Sequence, residues 1–190
     1  MRIIAGTAKG RKIEIPKDVD FRPTSDVVRE TLFNVIAREI ENSVFLDCFA
    51  GSGVVGLEAA SRGADKIICI EKNRRNCSLI KNNYEKLGFS KQLELIEDDY
   101  IHALCMLGKK GTSPDLLFFD PPYHAGIYDR LIDFLSCSPI ASKGLIIVEH
   151  FKKTEIPFES VFDLKKVSRS GDTHLTYLKL KISSSNDTAL

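Results

Sequence analysis

The chain has 190 residues, of which 43% are hydrophobic and 28% charged, as expected for one globular domain. Its formal net charge of +1 excludes a strong global attraction to nucleic acid, so any basic surface must be local. No apolar run approaches the length of a membrane span and no signal peptide is evident, which predicts a soluble, cytoplasmic protein. The five cysteines are widely spaced and lack a C-x-x-C pair, which indicates reduced thiols and argues against a metal site.

The N-terminal residues alternate around a small turn at Ala8 to Gly10 and predict a short β-hairpin with strands Arg2 to Ile4 and Arg11 to Ile15. Its basic residues, with no acid among the first twelve residues, form a patch suited to phosphate contacts: Arg2, Lys9, Arg11 and Lys12. A solvated hairpin edge protected by lysines is an equally good interpretation.

A helix is predicted after the segment Phe21 to Asp26, with Thr24 or Ser25 as its N-cap. Apolar residues then recur every four positions and form one stripe: Val28, Leu32, Ile36 and Ile40. The hairpin and helix, residues 1–41, precede the first sheet strand and form an added layer that could cover a ligand cleft. We expect the core of the domain over 42–182 and a disordered tail at 183–190.

A predicted strand at Val44 to Leu46 ends at Asp47, and a glycine-rich turn, Gly51 to Gly56, leads into a helix. The next strand, Lys66 to Ile70, ends at Glu71. Glycines allow a tight turn, the helix N-terminus offers free N–H groups, and an acid at this spacing can bind both hydroxyls of a ribose. The combination favours a site for an adenosine-bearing cofactor over a purely structural role, in which the glycines form a turn and the acid caps a helix.

The acid at Asp47 separates two cofactor classes. A dinucleotide would place its pyrophosphate on the glycine loop, where this carboxylate would repel it. A cationic amino-acid group would instead be attracted, which favours S-adenosylmethionine over NAD. An NAD-dependent oxidoreductase remains an alternative, although no Lys, Tyr or Ser arrangement for carbonyl reduction is evident.

A helix from Arg74 to Leu87, ended by Gly88, precedes a strand at Leu93 to Ile96. Asp99 follows at the carboxyl end of that strand, where it could accept the adenine amino group, with Tyr100 nearby. A helix N-cap is an equally good interpretation of Asp99.

The motif Asp120-Pro121-Pro122-Tyr123 follows a predicted buried strand, Asp115 to Phe119. Neither proline has an N–H to donate, so the strand must end here in a stiff loop, at the edge where open α/β sheets bind ligands. Asp120 and the Pro121 carbonyl can hold the two protons of an sp² amine, and Tyr123 can stack on its ring. Both acceptors bind more strongly as positive charge develops on the nitrogen. A strand-ending turn with Tyr123 as a lid on the core is the alternative.

The C-terminal third predicts a helix at Ile127 to Leu135, a strand at Gly144 to Val148 and a closing hairpin around Ser170 to Asp172. The whole pattern is five strand–helix units followed by a hairpin, which predicts an α/β fold with a mostly parallel sheet and an antiparallel last strand. Of the four histidines, His124 is the candidate for a substrate contact because it adjoins the proline motif.

These motifs resemble the RsmD family of bacterial 16S rRNA guanine-N2 methyltransferases, which are class I S-adenosylmethionine-dependent enzymes. The resemblance covers Arg2 to about Lys181 and is carried by R-I-I-A-G at 2–6, G-R-K at 10–12, R-P-T at 22–24, R-E-T-L-F-N at 29–34, D-C-F-A-G-S-G at 47–53, D-P-P-Y at 120–123 and G-D-T at 171–173. It implies a Rossmann-like fold with a seven-stranded sheet and a small N-terminal extension. It also implies 16S rRNA within a small-subunit particle as the substrate of a monomeric enzyme.

The resemblance also implies roles for individual residues. The cofactor site would comprise Asp47, Phe49, Gly51, Gly53, Glu71, Lys72, Asp99 and Tyr100, with Thr31 and Asn34 in the segment that closes over the methionine end. The catalytic loop would be Asp120, Pro121, Pro122 and Tyr123, in which the family accepts Phe or Tyr at the last position. The RNA contacts would be Arg2, Lys9, Arg11, Lys12, Arg22 and Arg29. A DNA adenine-N6 methyltransferase and a non-catalytic ribosome assembly factor remain alternatives.

Overall fold

The computed structural model describes residues 1–15, 24–122, 126–141 and 143–181. Helices and strands alternate along the chain: α1 (Asp26–Val35), β1 (Val44–Cys48), α2 (Val54–Ser61), β2 (Lys66–Ile70), α3 (Arg74–Leu87), β3 (Leu93–Ile96), α4 (Tyr100–Lys109), β4 (Leu116–Phe119), α5 (Ile127–Cys137), a 3₁₀ turn (Pro139–Ala141), β5 (Leu145–Phe151), β6 (Phe162–Ser170) and β7 (Thr173–Leu180). No helix in these ranges is long and apolar enough to cross a membrane.

The seven strands form one sheet in the order β3-β2-β1-β4-β5-β7-β6. The first five strands of this order, from β3 through β2, β1 and β4 to β5, pair in parallel. Strand β7 pairs antiparallel with both β5 and β6. The predicted α/β class and the mostly parallel sheet are therefore confirmed. The chain reverses its direction of travel across the sheet between β1 and β4, and such a switch point opens a crevice at the carboxyl ends of the strands.

Both faces of the sheet are covered, which explains why its central strands are almost continuously apolar. In β4, Leu116 and Phe118 belong to one buried cluster with residues of α1, α2 and α3. The alternate residues Leu117 and Phe119 belong to a second cluster with residues of α4 and α5. Because successive strand residues point to opposite faces, the four-residue apolar run serves two cores.

Several predicted boundaries were wrong by a few residues. Strand β1 continues to Cys48 and β5 to Phe151, so Asp47 and Glu149 lie inside strands, beyond the predicted last residues Leu46 and Val148. Carboxylates are depleted in strands, and the sequence rule therefore stops too early where a buried acid is functional. The predicted N-terminal hairpin is reduced to one antiparallel bridge between Arg2 and Lys12.

The N-terminal segment docks on the middle of α2. The two carboxylate oxygens of Glu58 accept the backbone N–H groups of Ile4 and Ala5 at 2.8 and 2.9 Å. The Ser61 hydroxyl donates to the Ala5 carbonyl at 2.6 Å and accepts from the Ala8 N–H at 2.9 Å. These bonds satisfy backbone groups that a single-bridge hairpin leaves unpaired, so the segment is held in place by the helix.

Candidate active site

Three acids meet at the carboxyl ends of adjacent central strands: Asp47 on β1, Asp120 just after β4, and Glu149 on β5. Asp47 and Glu149 are 2% and 5% exposed. Burial raises the pKa of Asp47 to about 7, and the negative charges of Asp120 and Glu71 also raise it, while the Gly56 N–H opposes both effects. Burial likewise raises the pKa values of Asp120 and Glu149. The crevice is therefore lined by carboxyl groups that a cation would stabilise in their ionised form.

The side chain of Thr24 joins two of these acids. Its Oγ1 lies 3.4 Å from Asp120 Oδ2 and 3.2 Å from Glu149 Oε2, and Thr24 itself is buried. The sequence suggests Thr24 as a helix cap and as the start of the segment, Thr24 to Asn34, that closes over the methionine end; the cap role is performed by Ser25, which accepts the Val28 N–H at 3.3 Å. Sequence reasoning assigns no role to Glu149, although one signal for it exists: it is an acid at the same sheet edge as Asp47 and Asp120.

The glycine loop contacts Glu71, the acid that follows β2. The Gly51 N–H donates to Glu71 Oε2 at 2.8 Å, and the other oxygen of Glu71 accepts the Asn73 N–H at 2.7 Å. Phe49, Gly51 and Gly53 have positive φ angles of 70°, 56° and 72°, which give the loop its tight course. Each Glu71 oxygen keeps a second lone pair, so the carboxylate can still accept hydroxyl groups.

Gly56 links the loop to the sheet in two ways. Its N–H donates to Asp47 Oδ2 at 2.9 Å, which directs that carboxylate toward the N-terminal turn of α2. A Cβ at this position would lie 2.6 Å from Tyr84 Oη and 2.8 Å from Ile67, so only glycine lets the helix approach α3 and β2 this closely. This is the close-packing role of the third glycine in such loops.

An aromatic pair lies where the adenine site was predicted. The rings of Phe49 and Tyr100 are 4.7 Å apart at 43°, and the buried Tyr100 hydroxyl has no hydrogen-bond partner among the described residues. An orphaned hydroxyl beside an aromatic surface fits a planar group that carries hydrogen-bonding atoms. Asp99 caps α4 by accepting the Ile101 N–H at 3.0 Å, and both Asp99 and Lys72 are exposed.

Helix α1 directs two predicted cofactor residues away from the crevice. The helix begins beside Thr24, near Asp120 and Glu149, and ends at Val35, which lines a cavity with the opposite ends of β4 and β5. Thr31 donates its hydroxyl to the Val27 carbonyl of its own helix, and Asn34 is exposed one residue before the helix ends. These positions lend no support to the assignment of Thr31 and Asn34 to the cofactor site, which stays a prediction.

The predicted RNA contacts also need correction at one position. Arg29 is fully buried and donates to the Arg2 carbonyl at 3.0 Å and to Asp26 at 2.8 Å, so it cannot reach a phosphate. Arg11 is exposed but donates to the carbonyls of Lys86 and Leu87 at the end of α3. The remaining basic residues of the N-terminal segment, Arg2, Lys9 and Lys12, are exposed.

The proline loop is described only in part. Strand β4 ends at Phe119 as predicted, Pro121 is buried and Pro122 is exposed. The predicted roles of Tyr123, His124 and Arg22 fall on residues outside the described ranges. Within those ranges, no group of three or more His, Cys, Asp or Glu side chains is arranged to hold a metal ion.

Comparison with known proteins supplies the family. A family model described as Conserved hypothetical protein 95 matches residues 1–179. The chain is 39% identical over 160 residues to Ribosomal RNA small subunit methyltransferase D of Escherichia coli K12, covering 83% of this chain and 78% of the relative. It is 38% identical over 156 residues to the protein of that name from Buchnera aphidicola (Acyrthosiphon pisum), covering 81% and 80% of the two chains. The solved structure of yhhF from Escherichia coli has a TM-score of 0.81 at 32% identity and covers 95% of this chain and 98% of that one. The chain therefore belongs to the RsmD methyltransferase family.

Proposed function

We propose that this chain transfers a methyl group from S-adenosylmethionine to the exocyclic N2 of a guanine in 16S rRNA, within the small ribosomal subunit or its assembly intermediate, in the cytoplasm. Family membership supports the reaction class. The observation that carries the proposal is the meeting of Asp47, Asp120 and Glu149 beside the glycine loop at the switch point of the sheet.

The residues of the crevice fit S-adenosylmethionine, which supplies an activated methyl group on a sulfonium centre. Glu71 would accept the ribose hydroxyls through its free lone pairs, and Asp47 would face the cationic amino group. The Phe49 and Tyr100 rings, with the orphaned Tyr100 hydroxyl, would hold the adenine, and Asp99 has one carboxylate oxygen left for its amino group. Buried acids that gain from a nearby cation are the electrostatic complement of this molecule.

The proposed catalytic groups, Asp120 and the Pro121 carbonyl, directly follow β4. An sp² amine is a poor nucleophile because its lone pair is delocalised into the ring. Asp120 and the Pro121 carbonyl would each accept a hydrogen bond from one of its two N–H groups, and these hydrogen bonds strengthen as positive charge develops on the nitrogen. A stacked base could not reach this edge, so the guanine must be flipped out of its RNA context, with Tyr123 stacking on it.

The N-terminal segment provides the RNA-facing charge. Arg2 and Lys12 are bridge partners on adjacent backbone segments, so their Cα atoms are close, and both side chains are exposed. With Lys9 they form a local basic patch on a chain of net charge +1. Such a patch suits phosphate contacts that orient a particle without reading its sequence.

Replacement of Asp120 tests the catalytic assignment. We expect Asp120→Ala to lower the rate of methyl transfer by about 10²- to 10³-fold, because it removes an acceptor that acts mainly in the transition state. Asp163→Ala, which removes an exposed carboxylate of β6, is the matched control. Near-normal turnover by a folded Asp120→Ala protein would refute the assignment.

A further inference from the structure

The group formed by Thr24, Asp120 and Glu149 has more acceptors than donors if both acids are ionised. The Thr24 hydroxyl carries one proton and lies within 3.4 Å of both carboxylates. Shared between two anions, that proton would make only a weak three-centre contact. Both contacts become full hydrogen bonds when one carboxyl group carries a proton and donates a hydrogen bond to the hydroxyl oxygen. The geometry is therefore that of a pair of acids sharing one proton through a hydroxyl.

We propose that Glu149 is the protonated member and a positioning residue: it donates to Thr24, and Thr24 donates to Asp120, which stays the anionic acceptor for the substrate amine. This inference rests on the function proposed above and adds two residues to its machinery. Glu149 lies inside strand β5 and exposes 5% of its surface, whereas Asp120 follows the end of β4 and exposes a larger share of its own. The charged form is therefore less favourable at Glu149.

The groups around the pair reinforce this distribution. The negative charges of Asp120 and Asp47 raise the pKa of Glu149 further, beyond the effect of burial, and the contact with Thr24 lowers it. At Asp120 burial raises the pKa and the contact with Thr24 lowers it. From α5, the Tyr128 hydroxyl donates to the backbone carbonyl of Glu149 at 3.4 Å. Burial thus raises the pKa of both carboxyl groups, as expected for two acids that share one proton.

A pH dependence follows from this order of ionisation. Methyl transfer should rise with pH as Asp120 loses its proton and fall again as Glu149 loses its own. Above that second ionisation, two anions would face one hydroxyl proton, and Asp120 would be displaced from its position. The kcat profile of the wild-type protein should therefore be bell-shaped with a narrow maximum.

Glu149→Gln separates this role from a merely structural one. The amide of glutamine can donate to Thr24 but cannot ionise, so it imitates the protonated acid. We expect the fall of kcat at alkaline pH to disappear, and kcat at the wild-type optimum to exceed that of Glu149→Ala. Glu149→Ala and Thr24→Val each remove one hydrogen bond of the Glu149–Thr24–Asp120 chain. Both variants should lower kcat by about 10- to 100-fold with little change in KM for the methyl donor. Thr24→Ser, which keeps the hydroxyl, should restore kcat.

The experiment is a set of kcat profiles for labelled methyl transfer to undermethylated small-subunit particles, with Glu159→Gln and Thr112→Val as controls. Thermal unfolding of each variant verifies its fold. If Thr24→Val does not fold, the kcat profile of Glu149→Gln by itself tests whether protonated Glu149 positions Asp120. Retention of the alkaline fall by Glu149→Gln, or equal loss of activity in the Gln and Ala variants, overturns the inference while leaving the proposed function intact. A folded wild-type protein that methylates no RNA overturns both.

Discussion

Asp47 illustrates at the scale of one residue how a functional site opposes stability. Its carboxyl group is almost fully buried, and its pKa of about 7 lies above the ordinary value of 3.8. Between about pH 4 and pH 7 the folded protein therefore holds a proton that the unfolded chain has already lost. The contribution of this group to the free energy of unfolding falls as the pH rises through that window, and above pH 7 the full penalty remains.

Asp47→Asn should remove this penalty. The asparagine oxygen can still accept the Gly56 N–H, and the side chain does not ionise. We expect the variant to be more stable than the wild type at pH 8, by up to about 4 kcal/mol for a shift of this size, and nearly equal to it at pH 4. Urea unfolding at the two pH values measures the difference. A variant less stable than the wild type at pH 8 would show that the carboxylate is well compensated in the fold.

Residue types and spacing predicted the contacts that depend on local sequence. Glu71 meets the Gly51 N–H because a strand, a tight turn and a helix leave little freedom to the next strand. Thr24 and Glu149 are 125 residues apart, and no local pattern connects them. Arg29 shows the converse: an arginine in a helix suggests a solvated or phosphate-binding group, and only the packed structure shows that it is buried.

At the scale of elements, the N-terminal segment depends on a close approach to α2 at Gly6. Its φ angle is +80°, and a Cβ there would lie 1.8 Å from the backbone oxygen of Ser61, which accepts the Thr7 N–H at 2.8 Å. A side chain at this position cannot be accommodated without moving one backbone from the other. The docking of the segment, and of the basic residues it carries, therefore requires glycine here.

Gly6→Ala and Gly10→Ala form a matched pair that tests this docking. Both glycines have φ near +80°, but a Cβ at Gly10 meets nothing within 4 Å. We expect Gly10→Ala to cost about 1–2 kcal/mol for the backbone conformation alone, and Gly6→Ala to cost about 2–5 kcal/mol because the segment also loses its contacts with α2. Urea unfolding and limited proteolysis of the segment report both effects. Equal losses in the two variants would contradict the docking described here.

The elements themselves were predictable wherever one local signal determined them. Asn73 and Gly88 enclose α3, and the prolines after Asp120 end β4, so these bounds follow from backbone chemistry. The length of the N-terminal hairpin was overestimated. Its alternating pattern arises because Ile3 and Ile13 are buried against the domain, and the backbone next to Ile3 binds Glu58. The Ile3 N–H still donates to the Arg11 carbonyl and the Ile13 N–H to the Met1 carbonyl, while contacts that the local sequence does not encode bind the residues beyond them.

At the scale of the whole molecule, strand order turns separate motifs into one site. Asp47 and Asp120 are far apart in sequence, but Asp47 lies on β1 and Asp120 directly follows β4, which pairs with β1 on one side and with β5 on the other. The alternation of strands and helices predicted the fold class, yet it does not specify which strands are neighbours. That order had to come from the resemblance to a family or from the structure.

We propose that these strands assemble a guanine-N2 methyltransferase that acts on small-subunit rRNA. The most direct measurement is transfer of labelled methyl from S-adenosylmethionine to four acceptors: small-subunit particles that lack the modification, naked 16S rRNA, DNA and bulk protein. The labelled product is then digested and identified. We expect N2-methylguanosine from the particles, with the least label in DNA and protein. Label in DNA or protein would contradict the substrate, and no label anywhere, despite cofactor binding, would indicate a non-catalytic assembly factor.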